Sequence, residues 1–235
     1  TVVSLPTVPL PTVGLGVLTC SCGKAHHENL LPQILLPSIL RTTTSAERFR
    51  LHVTVGIDDD DPLFHNQTWR DEVWSMGLEV HFMQVHKPEP HYLCFNDVMR
   101  AAYDRGADYL ARTNDDIRFT SAGWMDIAIQ ALEHVGSVGP SYTQGNTGNL
   151  FAGGDMVHRR HLEIFDTYYP PEFPNWFVDD WIAFAYTRGR SRRTFVLHHH
   201  SRFPNLDWTV QHVFTHGRRY KVAMSQKGYL PALIE

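Results

Sequence analysis

The stretch that decides the fold is Tyr109-Leu110-Ala111-Arg112-Thr113-Asn114-Asp115-Asp116, which begins with three apolar residues and ends in Asn-Asp-Asp. A short apolar run bounded by turn residues predicts a buried strand, here over residues 109–113. The same pattern occurs upstream, where a strand predicted over residues 50–57 runs into Asp58-Asp59-Asp60-Asp61. A third strand, predicted over residues 195–197, runs into His198-His199-His200. One such cluster is equally well explained as a solvated turn or helix cap, but three predict a shared polar edge.

Strands and helices alternate through the first half of the chain. The predicted strands cover residues 13–18, 50–57, 78–85, 109–113 and 135–140, and the predicted helices cover residues 29–40, 96–104 and 122–134. This alternation is typical of βαβ units and predicts an α/β fold with a mostly parallel central sheet. The second half is less regular, with a Gly/Asn-rich loop at 145–154, a strand turning into a helix over 156–165, and helices at 178–187 and 206–220. Without a linker between the halves, we expect one domain over residues 1–235.

The bulk composition excludes several classes of protein. The chain has 235 residues, 21 Lys+Arg and 25 Asp+Glu, for a net charge of -4. This weak acidity does not favour a mainly electrostatic nucleic-acid binder. There are three cysteines, and a single residue separates Cys20 from Cys22, so the sequence predicts no disulfide framework. No apolar run reaches the ~20 residues of a membrane span. We expect a soluble domain and favour the cytoplasm, while leaving open that it was cut from a longer protein.

The polar strand ends are the expected position of a ligand site. In open α/β sheets, ligands bind outside the carboxyl ends of the strands. Carboxylates packed together repel one another and favour a bound cation, and Mg²⁺ commonly uses one or two carboxylates plus substrate phosphates. A histidine ligand moves the preference towards Mn²⁺ or another transition ion. The sequence therefore predicts a metal-bound diphosphate at this edge.

These segments resemble the GT-A-fold glycosyltransferases over nearly the whole chain. The resemblance implies a single Rossmann-like domain with a mostly parallel sheet flanked by helices and a smaller C-terminal acceptor-side region. Residues 1–120 would form the nucleotide-binding half, and residues 121–235 the acceptor and catalytic half. Residues 53–60 are similar to the family's nucleoside-contacting segment, and residues 109–116 to the strand that ends in its D-x-D motif. Asn114 stands where the first Asp of that motif usually lies.

The resemblance also implies roles for individual residues. Asp116 would bind the metal, Mn²⁺ or Mg²⁺, and Asp115 would lie near the sugar or ribose. His200, in a segment similar to the His-Ser-Arg segment of the galactosyltransferase branch, would be a second metal ligand. His198 would lie on the same face of an extended segment. The residues expected to contact the nucleotide-sugar donor, such as a UDP-sugar, are Thr19, Asp58, Asp60, Arg112, Asn114, Asp115, Gly153 and Gly154.

The general base is expected at Asp179-Asp180, which is similar to the acidic motif at a helix start in inverting members. Asp180 is the first choice and Asp179 the second for removing the proton from the acceptor hydroxyl. The alternative is that both carboxylates merely stabilise the positive end of the helix dipole.

Three functions remain open from the sequence. The first is a metal-dependent glycosyltransferase that transfers a sugar, with inversion, to a glycan, a protein or a modified-base hydroxyl. A nucleic-acid acceptor is not favoured by the net charge, although the basic run Arg188–Arg193 keeps it open. The second is an inactive module that binds nucleotide sugars or glycans, which Asn114 motivates. The third is a metal-dependent diphosphate hydrolase.

Overall fold

The computed structural model describes residues 9–21, 23, 25–86, 94–134, 141–142, 154–171, 178, 181–182 and 210–212. The strands in these ranges are β1 (Val13–Thr19), β2 (Leu51–Asp58), β3 (Glu79–Val85), β4 (Tyr109–Asn114), β5 (Ile117–Phe119), β6 (Ser141–Tyr142), β7 (Gly154–His158) and β8 (Val210–His212). The α-helices are α1 (Leu36–Thr42), α2 (Ser45–Arg48), α3 (Gln67–Ser75), α4 (Cys94–Asp104), α5 (Trp124–His134) and α6 (Arg160–Phe165). A π-helical turn, Leu31–Leu35, leads into α1, and 3₁₀ turns cover His26–Glu28 and Pro62–His65. None of the helices in these ranges has the length and apolar character needed to cross a membrane.

Six of the strands in the described ranges form one sheet, in the order β3-β2-β1-β4-β7-β6. The first four run parallel to one another, while β7 pairs antiparallel with β4 and β6 pairs antiparallel with β7. Helices lie between the successive parallel strands along the chain. The predicted α/β fold with a mostly parallel sheet is therefore confirmed.

The two faces of the sheet differ in side-chain size, and β1 shows why. Val13, Leu15 and Val17 alternate with glycines, so these three side chains join the larger hydrophobic cluster, with α1 and α5. The other face receives α4, which comes very close to the sheet. A Cβ on Gly16 would lie only 2.3 Å from the Met99 sulfur of that helix. The glycines of β1 therefore let α4 pack directly on the strand that lies at the centre of the site.

The C-terminal part departs from the sequence prediction at one described segment. A helix is predicted over residues 206–220, but Val210–His212 is a strand. It pairs antiparallel with β5, with Ile117 opposite His212. A partner strand almost a hundred residues away decides the backbone here, and local periodicity carries no signal of it. Residues 178, 181 and 182, inside the predicted helix 178–187, are helical.

The cysteines also depart from expectation. Cys20, directly after β1, is disulfide-bonded. The sequence predicted no disulfide framework and did not foresee this bridge, because an odd number of cysteines excludes complete pairing but not a single bridge. Cys94, at the start of α4, is a buried thiol that donates to the carbonyl of His86 at 3.3 Å.

Two buried histidines make the fold sensitive to acid. Burial lowers the pKa of His52 in β2 and of His161 in α6. Within the described residues, neither ring nitrogen of His52 has a hydrogen-bond partner. The Nε2 of His161 lies 2.9 Å from the carbonyl oxygen of Tyr168. Both rings are thus held in their neutral form inside the fold.

We predict that the free energy of unfolding falls as the pH drops below about 6.5, because the unfolded chain then binds protons at these histidines and the folded chain does not. Stability is retained above that pH and lost as the pH falls through the lowered folded-state pKa values. Urea unfolding at pH 7.5 and 5.5 measures the effect. His52→Leu should reduce the difference between the two pH values, whereas His65→Leu, at an exposed position, should leave it unchanged. Equal pH dependence in both variants and the wild type would contradict this account.

Candidate functional site

The candidate site lies where the order of the parallel strands reverses. The chain passes from β1 to β2 on one side, while β4 lies on the other side of β1. In the paired registers, Thr19 is level with Ile57 of β2, and Leu18 is level with Asn114 of β4. The polar residues after β2 and β4 therefore flank the end of β1 on both sides. This is the crevice in which open α/β sheets bind their ligands.

A series of hydrogen bonds links the end of β1 to the turn after β4 and to the segment that follows β1. The hydroxyl of Thr19 donates to Oδ2 of Asp115 at 2.6 Å and accepts from Nδ2 of Asn29 at 3.0 Å. The same Asn29 amide lies 3.1 Å from the carbonyl of Cys20, and its Oδ1 accepts from the backbone N–H of Leu31 at 3.1 Å. A hydroxyl that donates one hydrogen bond and accepts another is held in one orientation. Thr19, at the end of β1, thus orients the carboxylate of Asp115, which follows the neighbouring strand β4.

Sequence reasoning missed Asn29, although it named Thr19 and Asp115. Asn29 is buried and stands directly before the helical segment that leads to α1. An Asn at that place commonly caps a helix start, and its Oδ1 does bond the N–H two residues on. The contact of its amide with Thr19 depends on the fold, and the sequence offers no signal for it.

The four aspartates at and after the end of β2 have different surroundings. Asp61 is buried and accepts from the N–H and the hydroxyl of Ser21 at 2.7 and 3.1 Å, and from the N–H of Leu63 at 2.8 Å. It caps the turn Pro62–His65 and ties the segment after β1 to that turn. The carboxylate of Asp61 therefore serves the fold, and the cluster is less uniform than its sequence indicates.

The other three aspartates lie at the edge of the crevice. Asp59 and Asp60 are exposed, and Asp58 is half-buried at the end of β2. Oδ2 of Asp59 lies 2.7 Å from Nδ1 of His86, which follows β3. This hydrogen bond lowers the pKa of Asp59 and raises the pKa of His86. Asp58 and Asp60, the two predicted donor contacts of this cluster, thus stand at the sheet edge, and donor contact stays a prediction for both.

The residues after β4 form a tight connection. Asn114 is the last residue of β4 and is half-buried, and Asp115 and Asp116 form the turn before β5 begins at Ile117. Asp116 is buried, with 5% of its surface exposed. Asp115 and Asp116 therefore both lie in the turn directly after β4, at the switch point.

The structure describes only one of the three predicted metal ligands. Among the residues that the structure describes, no group of three His, Cys, Asp or Glu side chains could hold a metal ion. Asp116 belongs to that part, but His198 and His200, the other predicted ligands, lie outside it, as do Asp179, Asp180 and Gly153. These five assignments remain predictions.

Gly154 and Arg112 have definite roles inside the fold. Gly154 begins β7 with a φ of 145°, and a Cβ there would lie 2.1 Å from the backbone oxygen of Arg112. Only glycine allows strands β4 and β7 to meet so closely at this point. The Arg112 side chain is 4% exposed and lies 3.6 Å from the carboxylate of Asp155. Donor contact stays a prediction for both residues, and the structure shows what each does for packing.

Three residues surround Arg112: Asp155, which the sequence placed only within a segment (residues 148–155) that resembles a pocket lining, and Tyr168 and Tyr169, to which it assigned no role. Both phenols donate to the carboxylate of Asp155, Tyr169 at 2.7 Å. An acidic residue within a short strand that is otherwise mostly apolar was the one local signal, since buried carboxylates require partners. Two adjacent tyrosines gave no indication that both would turn to the same carboxylate.

Comparison with known proteins adds information on the fold. No protein-family model matches the chain. No curated protein matches its sequence. Among solved structures, residues 1–349 of S. aureus TarS are similar with a TM-score of 0.52 and 13% identity, over 74% of this chain and 55% of that one. The mannosyltransferase PcManGT from Pyrobaculum calidifontis, in complex with GDP-Man and Mn²⁺, is similar with a TM-score of 0.53 and 14% identity, over 75% and 53%.

The fold is GT-A-like. The chain spans just over half the length of each of these two structures. At such low identity the likeness establishes the architecture, and the chemistry has to be argued from the residues at the strand ends.

The two kinds of aspartate after β2 should separate in stability measurements. Asp61→Ala removes three hydrogen bonds at a buried position, so we predict a loss of about 2 kcal/mol in the free energy of unfolding. Asp60→Ala, at an exposed position one residue away, should change it by less than about 0.5 kcal/mol. Chemical denaturation of the two variants tests this, and equal stability of the two would show that Asp61 does not hold the segment after β1.

Proposed function

We propose that this protein is a metal-dependent glycosyltransferase that transfers a sugar from a nucleotide-sugar donor to a hydroxyl acceptor with inversion at the anomeric carbon. The observation that carries the proposal is the contact between Thr19 and Asp115 at the switch point, with Asp116 directly beside it. A GT-A-like fold shared with a mannosyltransferase supports it. An acidic edge at this place suits a donor whose diphosphate arrives with a cation.

The donor-binding roles follow from the chemistry of the strand ends. Carboxylates accept hydrogen bonds, so Asp58 and Asp60 suit the hydroxyl groups of a ribose or the N–H groups of a base. Asp115, oriented by Thr19, suits a hydroxyl of the ribose or of the transferred sugar. The half-buried Asn114 offers both a donor and an acceptor beside them.

A hard divalent cation would be held in part by the turn after β4. Asp116 supplies carboxylate oxygen, and Mg²⁺ or Mn²⁺ is commonly held by one or two carboxylates together with substrate phosphates. His200 and His198 would add imidazole ligands and favour Mn²⁺. When bound, the metal would act as a Lewis acid that neutralises charge on the departing nucleoside diphosphate. PcManGT, of similar fold, was solved with GDP-Man and Mn²⁺.

The proton of the acceptor hydroxyl would go to Asp180, with Asp179 as the second candidate. The carboxylate accepts this proton as the acceptor oxygen attacks the anomeric carbon. Attack from the face opposite the leaving diphosphate gives inversion. Their neighbours in sequence, Val178 and Ile182, are buried in one apolar cluster with Leu110 of β4. This packing supports the proposal, since it ties the flanks of the acidic pair to the strand that ends at the site. The acceptor would be a glycan, a protein or a modified base.

The test is donor turnover with and without metal. Wild-type protein with Mn²⁺ and a panel of UDP- and GDP-sugars should release nucleoside diphosphate, and EDTA should abolish the release. Asp116→Ala should lower kcat/KM by roughly 100-fold or more, because it removes a ligand of the charge-neutralising cation. The matched control is Asp71→Ala on α3, an exposed carboxylate that contacts only its own helix through Gln67 among the described hydrogen bonds, and it should retain full activity.

Three outcomes would contradict the proposal. Turnover that survives both EDTA and Asp116→Ala would exclude the metal role. Donor binding without turnover across a broad acceptor panel would indicate a binding module. Cleavage between the phosphorus atoms, with release of a sugar phosphate, would indicate a hydrolase. NMR of the product anomer decides between inversion and retention.

A further inference from the structure

A buried charged pair lies where β4 meets β7. Arg112 and Asp155 face each other in the antiparallel register of these strands. Nε of Arg112 lies 3.6 Å from Oδ2 of Asp155, and the two side chains are 4% and 2% exposed. Neither charge reaches water to any useful extent, so each has to be balanced by protein groups.

Two tyrosines complete this balance. Tyr168 donates its phenol proton to Oδ1 of Asp155, and Tyr169 donates to Oδ2 at 2.7 Å. Nε of Arg112 donates to the phenol oxygen of Tyr169 at 2.9 Å. Burial, with the negative charge of Asp155 beside it, raises the pKa of Tyr168 well above its ordinary value, which keeps this phenol a donor. Arg112, Asp155, Tyr168 and Tyr169 are called the Asp155 network below.

The Asp155 network joins parts of the chain that are far apart in sequence. Arg112 lies two residues before Asn114 and four before Asp116, so it belongs to the last residues of β4 before the candidate metal ligand. Tyr169 is fixed by α4 as well, because Asn96 donates to its carbonyl at 2.9 Å and accepts from its N–H at 2.8 Å. The network thus locks the segment after α6 against both β4 and α4.

The same tyrosines reach the helical residues further along the chain. Tyr168 and Tyr169 share one buried apolar cluster with Val178 and Ile182. Trp181 packs edge-on against Phe165 of α6, with ring centroids 5.3 Å apart. The Asp155 network therefore lies between the end of β4 and the residues on either side of Asp179-Asp180.

Buried ion pairs are a poor way to gain stability, because apolar side chains of similar volume commonly stabilise a fold as well or better. What a hydrogen-bonded ion pair adds is direction, since each of its bonds has a preferred geometry. A charged network in this position therefore suggests a requirement for a fixed arrangement of β4 and the segment after α6.

We propose that Asp155 is a positioning residue, which through Arg112, Tyr168 and Tyr169 holds the end of β4 in fixed relation to the segment that follows α6. This inference rests on the proposed function for its catalytic consequence. Loosening the network should displace the strand end that carries Asp115 and Asp116 relative to the acceptor side. Such a displacement slows the chemical step more than it weakens donor binding, since small errors in the position of reacting groups reduce rates strongly.

The experiment compares two Tyr→Phe substitutions that each remove one phenol hydroxyl. Tyr169→Phe removes a donor to Asp155. Tyr109→Phe is the matched control, because Tyr109 lies at the opposite end of β4 and its hydroxyl donates to Glu133 at 3.2 Å. Both variants should fold, with Tm lowered by a few degrees at most. We expect Tyr169→Phe to lower kcat by about tenfold or more, with donor KM within twofold of the wild type. The control should change neither.

Asp155→Asn is the stronger variant, since it removes the negative charge that Arg112 faces and that both tyrosines bind, and it should show the larger fall in kcat. If it does not fold, Tyr169→Phe still decides. Equal kcat in Tyr169→Phe and in the control would overturn the inference. So would a Tyr169→Phe defect confined to donor KM.

Hydrogen exchange tests the positioning without turnover. In Tyr169→Phe, the backbone amides of residues 112–116 and 154–158 should exchange faster than in the control, in the absence of any donor. If the wild type turns over no nucleotide sugar, the proposed function fails and this measurement alone decides the inference. Unchanged exchange at both segments would show that the network does not hold the strand end.

Discussion

Strand β1 is paired in parallel on both of its sides, and the rest of the site depends on this pairing. With β2 on one side and β4 on the other, the registers bring the ends of three strands to one level. Thr19 then lies within hydrogen-bond distance of Asp115, although 96 residues separate them. The crevice for a ligand follows from the strand order, and its acidic walls follow from the residues that happen to end β2 and β4.

The pairing is possible because β1 has a different character on its two faces. Val13, Leu15 and Val17 fill the larger apolar cluster, while Gly16 leaves space for Met99 of α4. On the far side of β4, Gly154 plays a related part by letting β7 approach the backbone of Arg112. Close packing on both sides of β4 leaves its final residues little freedom. A site that must hold several negative groups together benefits from such a rigid support.

Much of this arrangement was within reach of the sequence. Apolar runs that stop at acidic residues identified β2 and β4 and placed Asp58, Asp60, Asp115 and Asp116 at one edge. Periodicity and turn residues are local signals, and these elements are decided locally. The strand Val210–His212 is decided instead by its pairing with β5, and the predicted helix there was wrong.

Polar roles were harder to predict than strand ends. Asp61 looks like its three acidic neighbours in the sequence, yet its carboxylate bonds Ser21 and Leu63. The local sequence around Asp155 and Tyr169 does not indicate a contact with Arg112, which only the fold brings about. In each case the deciding partner is remote or the deciding geometry is that of a turn. Neither a remote partner nor the geometry of a turn can be predicted from composition and residue spacing.

The most direct measurement of the central claim is a crystal structure of the protein grown with Mn²⁺ and soaked with UDP- and GDP-sugars, with anomalous data collected to locate manganese. The account predicts a manganese peak bound by the carboxylate of Asp116, with the nucleotide lying against Asp58 and Asp60 and its diphosphate beside the end of β1. Manganese bound elsewhere, or a nucleotide bound away from the ends of β1, β2 and β4, would contradict it.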